Sequence, residues 1–163
     1  MPSVVGPATL GDHYSNVDSV YMKVDTVYME LSDATLDLAG ILLLSIVTIQ
    51  FGGVFMLRVV QGKEPATDLQ KSFFRAGHAH AGVLVILALV IQLYVDATDL
   101  SGGVAWMGRS GVPAAALLIP GGFFFSVLQR GAEKPNRFIW LLYAGAVLLA
   151  VGVVTTGIGL LTA

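Results

Sequence analysis

Cysteine is absent from the 163 residues, which excludes disulfide frameworks, thiolate metal sites, thiol catalysis and thioether-linked haem. Charge is scarce. Only 12% of the residues are charged and 55% are apolar, against about 25% and about 45–50% in a soluble domain. Nine basic and eleven acidic residues leave a net charge of −2, which offers no broad basic surface to a nucleic acid. Motifs of catalysis are missing too: the chain has no G-x-S-x-G elbow, no P-loop and no Glu-x-x-His carboxylate–histidine pair. The clustered glycines of GGVAWMG and PGGFFF lack the following lysine of a phosphate loop and read as packing positions. The length suits one domain of about 150 residues.

What the chain has in abundance is apolar runs. About 20 apolar residues cross a hydrocarbon layer roughly 30 Å thick, and four segments approach that length. They run from about Leu38 to Val60, from about Phe73 to Val95, from Val112 to Leu128 and from Phe138 to the C-terminus. Runs such as ILLLSIV and GVLVILALVIQL do not alternate, so a β-barrel is excluded and an all-α, integral membrane four-helix bundle is predicted. Residues 38–163 form this transmembrane domain, embedded in the lipid bilayer of the cell membrane as a multi-pass protein. Residues 1–37 form an extracytoplasmic segment with one additional amphipathic helix.

Charge placement orients the bundle. Arg58, Lys63, Lys71 and Arg75 flank the first connection, and Arg130, Lys134 and Arg137 the third, so seven of the nine basic residues share one side. That side is cytoplasmic by the positive-inside rule, which puts both termini outside. The N-terminal tail carries six acids and one lysine, and the second connection carries Asp96, Asp99 and Arg109. The start MPSVVGPATLG has neither a basic n-region nor a long apolar stretch and is not read as a cleavable signal peptide.

One internal repeat stands out. VDSVYMK at 17–23 is followed directly by VDTVYME at 24–30, identical at five of seven positions. In a helix the valines and tyrosines would cover an arc of roughly 100° with the aspartates facing away, and Ser15 with Asp18 resembles a capping box. Such a helix suits either the outer membrane interface or contact with a partner. Its acidic polar face suits anionic lipid poorly, which favours protein contact. Pro65 is expected to stop the first membrane helix and Asp68 to cap the second. Pro120 should break the hydrogen-bond ladder of the third. Gly77/Ala81, Thr48/Gly52, Gly122/Ser126 and Ala146/Ala150 are small-xxx-small pairs that let helices approach closely.

Polar groups inside a membrane face the bundle interior or a cavity, and the conspicuous group is RAGHAHAG on the second helix. With Arg75 at the boundary, His78 lies about 4.5 Å and His80 about 7.5 Å inside it. Two residues apart, they differ by about 200° and cannot ligate one metal ion from an ideal helix. His78 shares its face with Gln92 and Asp96, which marks the interior. His80 shares its side with Phe73, Leu84, Leu87 and Ile91, a face toward lipid or a neighbouring subunit. Depth arithmetic sets Gln50 about 12 Å, Ser126 about 6 Å and Tyr143 about 9 Å from the same boundary. Gln50, Arg75, His78, Gln92, Asp96, Ser126 and Tyr143 are therefore the candidate interior polar cluster.

His-x-His on a membrane helix resembles the element by which haem–copper oxidases place two axial histidines on opposite helix faces. The resemblance spans three residues, and it implies that His78 and His80 bind haem or a transition metal, each toward a different centre. No other histidine lies in the spans, so a bis-histidine haem would need two subunits or a different sixth ligand. Between His78 and Gln92 the interior face carries Ala81, Gly82, Val85 and Leu89, with no ionisable group of the kind a proton-coupled carrier keeps near mid-membrane. The leading expectation is a non-catalytic membrane subunit that forms a homo-oligomer or joins other membrane subunits. A haem- or metal-binding redox module comes second, and a small-solute or proton pathway third.

Overall fold

Ser32 opens the first helix. Its extended backbone (φ −67°, ψ 152°) and its hydroxyl, which accepts from the Thr35 amide at 3.2 Å, start α1 at Asp33, several residues before the apolar run begins. The computed structural model describes residues 30–163, and the N-terminal repeat at 17–30 lies almost wholly outside them. Four helices follow in order: α1 (Asp33–Val60), α2 (Asp68–Asp96), α3 (Gly102–Ser126) and α4 (Ile139–Thr162). Among the described residues there is no strand.

Helix ends follow local chemistry more closely than hydropathy. α1 ends at Val60 and is closed by Gly62, before Pro65 is reached. The Gly62 amide donates to the Val59 carbonyl at 3.1 Å and the Lys63 amide to the Arg58 carbonyl at 2.9 Å, a Schellman closure that requires the left-handed backbone Gly62 adopts at φ 72°. The cap of α2 is Thr67, one residue before the expected Asp68. Its hydroxyl accepts from the Gln70 amide at 3.2 Å while the Gln70 side chain accepts from the Thr67 amide at 3.0 Å, a complete capping box.

Three helices, α1, α2 and α4, are long and apolar enough to cross a membrane. α3 is the exception among the four expected spans. It begins at Gly102, ten residues before the apolar run at Val112, and so takes in Arg109, while Pro113 and Pro120 lie inside the run itself. A helix of that composition is accommodated by protein neighbours: α3 has the largest interface of the unit with α4 and the next largest with α2, while α1 packs on α2.

Glycine makes these close approaches possible. A Cβ on Gly111 would stand 2.8 Å from the Gly152 Cα, and one on Gly122 would stand 2.5 Å from the Leu142 amide nitrogen, both inside van der Waals contact. On α4 the stripe that meets its neighbours is Gly145, Gly152, Thr156 and Gly159, with glycines seven residues apart. The expected pair Ala146/Ala150 is exposed. Above these contacts, Leu42, Leu84, Val85, Ala88, Val112, Ala115 and Ile119 form the main apolar core. A second, smaller core at the basic end joins Met56, Val59, Phe74 and Val127, with Phe74 between Phe55 and Phe124 at ring distances of 5.3 and 5.5 Å.

Candidate functional site

The most polar interior site sits where α1 begins, α2 ends and α3 makes its second turn. Asp96, the last residue of α2, accepts from the Ser32 amide at 3.0 Å, from the Ser32 hydroxyl at 2.9 Å and from Arg109 Nη2 at 2.7 Å. The side chains of Asp96 and Arg109 are 5% and 10% exposed, so this ion pair is buried. Arg109 Nη1 also donates to the Thr35 hydroxyl, which in turn reaches the Gln92 carbonyl at 3.4 Å. One carboxylate thus receives the N-cap of α1 and the guanidinium of α3, and three helices are joined through it.

Gln92, fully buried, completes the network for a reason set by proline. Pro113 has no N–H, so the Arg109 carbonyl one turn earlier loses its helical donor. Gln92 Nε2 supplies a replacement at 2.9 Å, and also donates to the Ala88 carbonyl at 3.2 Å. Both carboxamide protons are committed, which fixes the amide orientation. Its Oε1 is buried with no hydrogen-bond partner among the described residues.

The seven candidate cluster residues fall in separate places. Gln92 and Asp96 meet in this network. Arg75 is exposed and donates through Nε to the Lys71 carbonyl at 3.1 Å. Ser126 is buried near the other end of α3, where its hydroxyl reaches the Phe123 carbonyl at 3.3 Å. Gln50 and Tyr143 are exposed on the outer surfaces of α1 and α4. A place in the same half of the bundle did not bring them together, because depth carries no information about rotation around the helix.

The two histidines also part. The His78 ring lies against α1, in a notch made by Gly52 and Gly53, with Nδ1 3.3 Å from where a Gly52 Cβ would be and Nε2 3.5 Å from that of Gly53. His80 Nδ1 bonds the Ala76 carbonyl at 2.7 Å, and its ring lies 5.2 Å from Phe123 on α3. On the helix side of His80, expected to face lipid or a neighbouring subunit, Leu84 and Ile91 are instead buried within the chain, both 5% exposed. Among the described residues no three histidine or carboxylate side chains gather as a metal site.

Ser32, Thr35, Arg109 and Gln70 were not among the residues singled out by sequence. Gln70 is the counterpart of Gln92 at the basic end, donating to the Val127 and Gln129 carbonyls at 2.9 and 3.0 Å. Arg109 had a signal available, as the one basic residue of a nearly neutral stretch two residues from a proline-containing apolar run. Chemically, the Asp96–Arg109 network acts as a clasp. Its charges are spent on each other. No protein-family model, curated protein or solved structure matches this chain.

Proposed function

We propose that the chain is a non-catalytic membrane subunit that assembles with copies of itself or with other membrane subunits. Gln50 carries this reading. It lies eight residues before Arg58 on α1, among the exposed Val47, Phe51 and Val54, and makes no hydrogen bond among the described residues. A carboxamide at that depth, about 12 Å inside the boundary, finds no donor or acceptor in hydrocarbon and is stabilised by one on another helix. α1 packs chiefly on α2 and is the least buried of the three spanning helices, which leaves the face carrying Gln50 to receive such a helix.

Native mass spectrometry of the detergent-solubilised protein tests the reading. The expected species is larger than the 17.2 kDa single chain, and Gln50→Leu shifts it toward that single chain. A parent protein that is monomeric throughout refutes assembly, and an unchanged mass in the variant removes Gln50 from the contact.

Haem or metal binding by His78 and His80 is favoured by one feature. With Nδ1–H donated to the Ala76 carbonyl, a neutral His80 ring carries its lone pair on Nε2, the arrangement of a ligating imidazole oriented by its other nitrogen. A single exposed histidine per chain would then need a second ligand from a partner. A pathway for solute or protons has less support, since Leu84, Val85 and Ala88 fill the interior between His78 and Gln92. The cytoplasmic assignment of the basic end rests on its charge. It is supported by the Thr67 hydroxyl donating to the Ala132 carbonyl at 2.7 Å, which gathers the first and third connections at one end.

A further inference from the structure

At the basic end a cavity of about 470 Å³ opens between the end of α1 and the start of α2. Its floor is apolar, made by Met56, Val59 and Val60, and its rim carries Lys71 and Arg75. Val60 belongs both to this lining and to the outer surface of α1, where Leu57 and Val60 are 55% and 73% exposed. Lys71 and Arg75 are one helical turn apart on α2 and therefore share a face.

The charges around the cavity are unevenly spent. Glu64, the acid in its lining, is taken by Arg58, whose Nη2 stands 2.6 Å from Glu64 Oε1 and whose Nε donates to the same oxygen at 3.0 Å. Lys71 pairs with Asp68 at 3.1 Å, but the Asp68 side chain is fully exposed, and such surface pairs contribute little. Arg75 has no acidic partner among the described residues. Its Nε is anchored on the Lys71 carbonyl at 3.1 Å, which steadies the guanidinium and leaves both terminal nitrogens to two oxygens of one oxyanion, such as a phosphate.

We propose that this cavity binds an anionic phospholipid, its phosphate held by Lys71 and Arg75 and an acyl chain laid along Met56, Val59 and Val60. The combination of a cationic rim and an apolar floor at a helix end matches a lipid, because a free phosphate would use the rim alone. Basic pockets between membrane helices recognise anionic headgroups in this way. The inference rests on α1 and α2 crossing a bilayer and is independent of subunit assembly.

The test is native mass spectrometry of the full chain in detergent, titrated separately with phosphatidylglycerol, phosphatidylcholine and inorganic phosphate. Phosphatidylglycerol should be retained in preference to phosphatidylcholine, and inorganic phosphate should not displace it. Lys71→Gln with Arg75→Gln should weaken phosphatidylglycerol retention about tenfold or more, and Arg75→Gln alone about fivefold. Lys134→Gln, away from the cavity, should leave retention unchanged. Equal retention of the two lipids, undiminished retention in the Arg75→Gln variant, or displacement by inorganic phosphate would each overturn the proposal.

Discussion

Removing either member of the buried Asp96–Arg109 pair leaves the other charge without compensation in a site that water hardly reaches. Asp96 and Arg109 are 5% and 10% exposed at their side chains, so the loss is not softened by solvent, and it amounts to about 3–5 kcal/mol for Asp96→Leu or for Arg109→Leu. Asp96→Leu also strips two acceptor contacts from Ser32, and α1 should fray from its first turn. The double variant removes both charges together. It should be markedly less destabilised than the sum of the single losses, with a coupling of about 0.5–3 kcal/mol, although Ser32 and Thr35 still lose their partners. The assay is equilibrium unfolding in mixed micelles followed by far-UV circular dichroism, with all four proteins measured in parallel. Additive losses, or single losses below about 1 kcal/mol, would show that the pair is solvated and that the three helices are held by packing alone. A double variant equal to the parent would carry a different lesson: the pair would then specify the arrangement of helices without adding to its stability.

Gly122→Ala should lower stability by about 1–3 kcal/mol through overpacking against the backbone at Leu142. Gly82→Ala, with open space where its Cβ would go, should raise it by about 0.5–1 kcal/mol by removing backbone entropy from a helix interior, both read as thermal shifts in detergent. His78→Ala should cost more than His80→Ala, by about 0.5–3 kcal/mol, because it empties the notch between α1 and α2. The same thermal measurement would contradict that ordering if the two losses were equal.

Helical class and the positions of the apolar segments were legible from composition and run length alone, since burying backbone in hydrocarbon leaves helices as the simplest way to satisfy every N–H and C=O. The two histidines were separable in advance because a 100° step per residue is a local property of any helix. Helix rotation was not local. Gln50 and Tyr143 have depths comparable with buried residues, yet both face outward, and only the packing of α1 on α2 and of α4 on α3 decided this. The small-residue seam shows the same limit. Ala146 and Ala150 have the four-residue spacing and Gly145 and Gly152, seven apart, do not, yet the glycines meet Ile119 and Val112 because that face of α4 is the one α3 covers. Arg109 is the clearest case. By sequence it belongs to a polar connection, and by structure it is buried, since a helix starting at Gly102 carries it back to Asp96, thirteen residues earlier in the chain. A charge can enter that interior only where its partner is already waiting, and that pairing exists only once α1, α2 and α3 have come together.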